Sequence, residues 1–139
     1  MPNNLKLEFK NNLSDLSNGL DAALSWLTPF NLPPDASYVT ILALEELATH
    51  AINHGYPDNL EHLIHVAITV EKNQLVIQHL DDGVFFNPLD VQEPDTNLPI
   101  EDRPTEGLGI LLLRKISDDM TYERKGGNNF VTVYKGTSS

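Results

Sequence analysis

Leu5, Leu7 and Phe9 alternate with Lys6, Glu8 and Lys10, a period of two that predicts a short strand with one buried face. From Leu13 to Leu27 the period changes. Leu13, Leu16, Leu20, Ala23, Leu24 and Leu27 recur at three and four, the signature of an amphipathic helix. Asn12 or Ser14 offers its N-cap, and Pro29 ends it. After a loop from Asn31 to Pro34, Asp35 reads as the N-cap of a second helix that runs to about His54, with Gly55 as a left-handed stop. The predicted buried stripe of that helix is Tyr38, Ile41, Leu44, Ala48, Ala51 and Ile52.

Pro57 to Asn59 forms a turn, and two alternating segments follow it. Ile64, Val66, Ile68 and Val70 share one face. Leu75, Ile77 and His79 then oppose Val76, Gln78 and Leu80, and Glu71 to Gln74 joins the two as a hairpin. After Asp81 the pattern collapses. Gly83 to Gly107 holds Pro88, Pro94, Pro99 and Pro104 among six acids: Asp90, Glu93, Asp95, Glu101, Asp102 and Glu106. A loop of this length is a functional lid or a disordered insert. Helical spacing returns from Leu108 to Ile116, where Arg114 and Lys115 are expected to face solvent. Tyr122 to Arg124 and Phe130 to Tyr134 read as a closing hairpin around Gly126-Gly127-Asn128-Asn129. Strands paired as hairpins, with helices inserted in blocks, predict an α+β sandwich whose sheet is covered by helices on one face.

Length and charge narrow the function. The 139 residues predict a single domain spanning 1–139. Nine basic against twenty acidic side chains give a net charge of −11, which argues against nucleic acid as a partner. The charge permits a basic protein partner, and a small anionic ligand held by backbone amides and a metal ion. The absence of cysteine excludes disulfides, thiolate zinc sites and a cysteine nucleophile. No apolar run approaches the roughly 20 residues that span a bilayer, so no membrane is expected. The opening MPNNLKLEFK has no apolar stretch after a basic start, as a signal peptide would, and a cytoplasmic protein is expected.

Three segments carry candidate chemistry. In the second helix Glu46, His50 and His54 are spaced by four and share a face, with Asn53 close to it. This is either a solvated face or, through the two histidines, a metal-binding pair. Asp81-Asp82-Gly83 follows a buried-type strand directly, as an ordinary turn or as a carboxylate aimed into a pocket. Phe85, Phe86 and Pro88 follow and suit the wall of a slot for a flat ring. Gly107-Leu108-Gly109 leads into a helix, either as a tight turn or as a place where free N–H groups meet a phosphate.

In this order the three segments resemble the GHKL ATP-binding superfamily (gyrase, Hsp90, histidine kinases, MutL), and most of all its anti-sigma-factor serine kinase branch, over about residues 5 to 135. The resemblance implies a Bergerat-type two-layer sandwich. Its sheet would be mixed and largely antiparallel, with helices on one face and a long ATP lid at about residues 84 to 106. It implies Glu46 as general base, Asp81 with Gly83 at the adenine amino group, and Phe86-Asn87-Pro88 as the branch's Phe-x-Pro. It also implies phosphates near Thr105, Gly107, Leu108, Gly109 and Ile110, with His54 at the nucleotide site and Thr132 near the base.

ATP and Mg²⁺ are the implied cofactors. His50 occupies the position of the family's magnesium-binding Asn, and imidazole suits Mg²⁺ poorly. Asn53, which has Thr49 and not an acid four residues before it, reaches the same region from one turn further on. Glu106 stands beside the phosphates and repels them unless it points away. The resemblance further implies phosphorylation of a small anti-sigma antagonist, capture of a sigma factor, or both, with a homodimer as the assembly. Two other readings remain open: a non-catalytic, nucleotide-binding partner-switching module, with phosphotransfer weakened by His50, and an interaction domain with an empty pocket.

Overall fold

Asn12 fixes where the first helix begins, because its Oδ1 accepts the backbone N–H of Asp15 at 2.8 Å. In the computed structural model, which describes residues 3–103 and 107–138, that helix, α1, is Leu13–Leu27. Strand β1 (Asn4–Lys10) precedes it and α2 (Pro34–His54) follows. Next come β2 (Leu63–Val70), β3 (Gln74–Asp81), α3 (Leu108–Ile116), β4 (Asp119–Lys125) and β5 (Asn128–Gly136). The strands lie in the order β1-β2-β3-β5-β4. The largely antiparallel sheet of the sequence reading is antiparallel at each of these pairings.

Alternation along the strands decides which face the helices cover. Ile64, Val66 and Ile68 of β2, Leu75 and Ile77 of β3, and Val131 and Val133 of β5 all point into the layer between sheet and helices. Fully burying such a side chain contributes about 1.5–3 kcal/mol. The same parity carries the polar residues His79, Asp81 and Asn129 to that face at one end of the sheet, and all three are buried.

Helix α2 buries more than the predicted stripe. Ala36, Val39, Ala43, Leu44, Leu47 and Ala48 are all buried, whereas Tyr38 is 49% exposed and Ile41 and Ile52 are half-buried. The helix packs on α1, α3 and the sheet together, so its small residues are consumed by neighbours on several sides. Its start also differs from expectation. Pro33 is the N-cap and Pro34 takes the first helical position, where a missing N–H costs nothing, so Asp35 sits inside the first turn without capping. Nor is Gly55 left-handed, for its φ is −86°. Glycine is needed there for space: a Cβ would press on the carbonyl of Ala51, and the Gly55 carbonyl accepts the Val84 N–H at 2.8 Å.

Two further expectations change. The turn of the closing hairpin is Gly126-Gly127 alone, with φ of 58° and 78°, so Asn128 and Asn129 belong to β5. Arg114 does not face solvent. Its Nη1 donates to the Val91 carbonyl at 2.7 Å and ties the long loop to α3, whereas Lys115 is exposed. Among the described residues no helix is long and apolar enough to cross a membrane.

Candidate functional site

The end of β3 and the end of α2 meet around Asp81. Its side chain is buried, and its Oδ1 accepts the Gly83 N–H at 2.9 Å and the Asn129 Nδ2–H at 3.0 Å. Gly83 has no room for a side chain, since a Cβ would lie 3.0 Å from both Asp81 Oδ1 and the Gly55 carbonyl. A cavity of about 70 Å³ opens here, lined by Leu47, His50, Ala51 and His54 of α2, by His79 and Asp81 of β3, by Val84 to Phe86, and by Asn129 and Val131 of β5. The His50 ring stacks on Phe86, with centroids 3.6 Å apart and planes 19° from parallel, and lies 4.9 Å from the ring of His54.

Asn129 organises this end of the sheet. Its Nδ2 also donates to the Val84 carbonyl at 2.8 Å. Its Oδ1 accepts from Tyr122 Oη at 2.6 Å, from Arg124 Nη1 at 3.0 Å and from the Phe86 N–H at 3.3 Å. Arg124 Nη1 donates in addition to the Gly83 carbonyl at 2.8 Å. Read as part of a turn, Asn129 escaped the sequence analysis. The signal was its parity with Val131 and Val133, which places it on the inner face.

Thr132 is the converse case and a correction. It stands opposite Gln78 and Thr121 on the outer face of the sheet, one residue out of step with the cavity, so it does not line it. Pro88 is buried outside the cavity wall, at the start of a short 3₁₀ turn, Pro88–Asp90. Asn53 is exposed and lines no part of the cavity. Thr105 and Glu106 lie outside the described residues.

A second cluster sits at the head of α3. Gly107 has φ 83° and turns the chain into the helix. The first intrahelical bond runs from Leu111 N–H to the Gly107 carbonyl, so the amides of Leu108, Gly109 and Ile110 lie ahead of it. Leu108 is exposed and Ile110 buried. The carboxylate of Glu46 lies where a Gly109 side chain would be. Burial raises the Glu46 pKa above the usual carboxylate range, and the neighbouring Glu45 charge adds to the effect. The structure therefore brings a carboxylate to a helix N-terminus, one turn of α2 before the residue that walls the Asp81 cavity.

Magnesium fits this set poorly. The ring of His50 faces Phe86, Asn53 stands outside, and no group of three or more His, Asp or Glu able to hold a metal exists among the described residues.

Comparison with known proteins bears on the family and the fold. The histidine kinase-like ATPase domain matches residues 9–135. The anti-sigma F factor of Bacillus velezensis is 24% identical over 127 residues, covering 88% of this chain and 84% of that protein. The serine-protein kinase RsbW of Bacillus mycoides is 29% identical over 83 residues, 57% of this chain and 51% of that one. The serine/threonine-protein kinase BtrW of Bordetella bronchiseptica is 24% identical over 91 residues, 66% and 61% respectively. The matches to the two kinases thus span only about half to three-fifths of those proteins. A solved structure of the RsbU and RsbW domains of Rv1364c from Mycobacterium tuberculosis superposes with a TM-score of 0.65 at 12% identity, covering 98% of this chain and 33% of that one, a likeness of fold. The chain belongs to the histidine kinase-like ATPase domain family.

Proposed function

We propose that this chain is an ATP-dependent serine/threonine protein kinase that phosphorylates a small anti-sigma antagonist, sequesters a sigma factor, or does both, acting as a homodimer in the cytoplasm. The observation that carries this reading is the seat of the Glu46 carboxylate against Gly109 at the head of α3, beside the Asp81 cavity. The kinase and anti-sigma names of its relatives support it.

With ATP as substrate, Asp81 Oδ2 accepts from the base amino group, since Oδ1 is already engaged. The amides of Leu108, Gly109 and Ile110 receive phosphate oxygens. Glu46 takes the proton of a serine or threonine hydroxyl on the partner as that oxygen bonds to the γ-phosphorus. The bond from phosphorus to the bridging oxygen breaks, ADP leaves, and the proton stays on Glu46. Its raised pKa brings the base closer to neutral pH, which favours this role. The acidic chain, at −11, suits a basic sigma-factor surface. The test is incubation of the protein and candidate antagonists with γ-labelled ATP. Label on an antagonist hydroxyl is expected, lost in Glu46→Gln with ATP binding retained.

One observation favours a second reading. His50, at the position where the family places its magnesium ligand, is engaged with the Phe86 ring. A nucleotide-binding module that switches partners without phosphotransfer fits that arrangement. Tight ATP binding with no label on any antagonist would select it.

A further inference from the structure

His62 stands outside the cavity described above, yet it reaches the turn that carries Asp81. Its side chain is 20% exposed, and both ring nitrogens face carboxylates. Nε2 lies 2.8 Å from Asp58 Oδ2, and Nδ1 lies 3.1 Å from each oxygen of Asp82. The backbone fixes the ring in place. The His62 N–H donates to Asn11 Oδ1 at 3.0 Å, and the His62 carbonyl accepts the Asn11 N–H at 3.0 Å. The ring stacks on Tyr56, with centroids 4.4 Å apart and planes 22° from parallel. Asp58 is fixed in turn, because its Oδ1 accepts the Leu60 N–H at 3.0 Å.

Protonation decides what this contact can do. A neutral imidazole has one N–H, so it donates to one carboxylate and turns a lone pair toward the other. An imidazolium donates to both. The surroundings favour the charged form. Hydrogen bonds to Asp58 and then Asp82 hold the His62 pKa above the usual histidine range. Tyr56 adds no charge of its own, since burial first and the nearby Asp81 second keep its phenol protonated. From β1, Lys10 pairs with Glu61 at 3.4 Å, and Asn11 is uncharged.

Asp82 lies between Asp81 and Gly83, and the next residue, Val84, donates its N–H to the Gly55 carbonyl at 2.8 Å. The turn is therefore joined twice to the segment 55–62, once through backbone and once through the His62 ring. We propose that His62 is a positioning residue for the nucleotide site: its imidazolium bridges Asp58 and Asp82 and holds the Asp81–Gly83 turn in its ligand-receiving shape, so that ATP affinity rises when His62 is protonated. It touches neither the ligand nor the reacting atoms. This rests on the nucleotide reading given above. Linkage makes the coupling reciprocal, so bound ATP raises the His62 pKa by the same factor.

Titration calorimetry with ATP from about pH 5.5 to about pH 9 tests the coupling. Wild type should lose roughly two- to tenfold more affinity over that span than His62→Gln, the worth of one hydrogen bond. The γ-phosphate and Glu46 titrate in both proteins and cancel in the comparison. Asp82→Asn separates the bridge from a long-range effect of the imidazolium charge. An amide both donates and accepts, so it bridges to either form of the ring, and affinity should stay near the acid wild-type value across the range. In the wild type alone, the His62 pKa read by NMR should rise on adding ATP. That of His65, on the outer face of the sheet against Glu8, should stay where it is. Equal slopes in the three proteins, or a His62 pKa that ATP leaves unmoved, overturns the assignment and leaves nucleotide binding standing. A wild type with no affinity for ATP at any pH overturns both.

Discussion

Glu46 and Gly109 share one volume: the carboxylate of the first fills the space a side chain on the second would take. Two residues 63 positions apart in sequence thereby bring an acid to the head of a helix. An Ala at 109 favours helix by about 0.5–1 kcal/mol, so the protein should stay folded. It should nonetheless expel the carboxylate and lower phosphotransfer almost as far as Glu46→Gln does, by roughly 10²–10⁴-fold, the span of general base catalysis. Single-turnover phosphotransfer beside a thermal melt checks this, and a fully active Gly109→Ala would detach Glu46 from the reaction.

Asn129 and Thr132 sit three residues apart on opposite faces of β5, and their substitutions should separate cleanly. Asn129→Ala strips Phe86, Tyr122 and Arg124 of an acceptor and Asp81 of a donor. Leaving such buried groups unpaired costs about 1–3 kcal/mol, and ATP affinity should fall with the stability. Thr132→Ala should change neither. Urea unfolding and calorimetry of both variants test the pair, and loss of ATP binding in Thr132→Ala would return that residue to the pocket.

The loop from Leu89 to Arg103 has little to hold it. Ile100 is 79% exposed, and the polar ties are local ones, such as Arg103 Nε to the Leu98 carbonyl at 2.9 Å. Among the described residues its base is held by Arg114 on Val91 and by the buried Pro88. Few buried contacts define a segment of low local stability. Hydrogen exchange should be fast across 89–103 without nucleotide and slower with ATP. Equal, strong protection in both states would make it a packed loop and not a lid.

His50→Asn should raise Mg²⁺-dependent phosphotransfer over wild type. The substitution removes the ring that stacks on Phe86 and puts an amide oxygen where an imidazole stood. Wild type should gain little on replacing chelator with Mg²⁺ and more with Mn²⁺, which accepts nitrogen ligands better. Efficient Mg²⁺-dependent transfer by the wild type, unchanged in His50→Asn, would show that the ring does not obstruct the reaction.

His62 and His79 should bend the pH profile of stability in opposite directions. His62 Nε2 lies 2.8 Å from Asp58 Oδ2, and its Nδ1 lies 3.1 Å from Asp82, so both nitrogens face carboxylates. The hydrogen bonds to Asp58 and then Asp82 raise its pKa above 6.5. That contribution is fully present below pH 6.5 and is lost as pH rises through the raised pKa. His79, held at about 4 by burial, takes up its proton in the unfolded chain first, so stability falls as pH drops from 6.5 toward 4. His62→Gln should flatten only the alkaline side. Urea midpoints from about pH 5 to about pH 9 decide it, and an unchanged alkaline slope in the variant would mean that the clamp adds nothing.

Much of the fold is legible in the chain because it is periodic. The alternation of Ile64, Val66 and Ile68 and the three-four spacing of Leu13 to Leu27 each have one solution that buries the apolar side. The turn chemistry of Gly126-Gly127 closes the last hairpin without help from distant residues. Asp81 and Gly83 are different: their spacing alone also fits an ordinary turn, and only the resemblance singled them out.

What the chain alone determined was local: element types, the inward face of each strand, and the three segments rich in chemistry. Tertiary structure decided which of their atoms meet. Whether Asn129 is a turn residue or the hub of the pocket depends on where β5 begins, and a one-residue change of register sends every side chain to the other face. The same parity took Thr132 out of the site and put His79 into it. The breadth of the α2 core came from neighbours on three sides, which no single-helix pattern contains. The seat of Glu46 at Gly109 exists only because α2 and α3 pack together, and a contact between distant segments leaves no mark on the spacing of either.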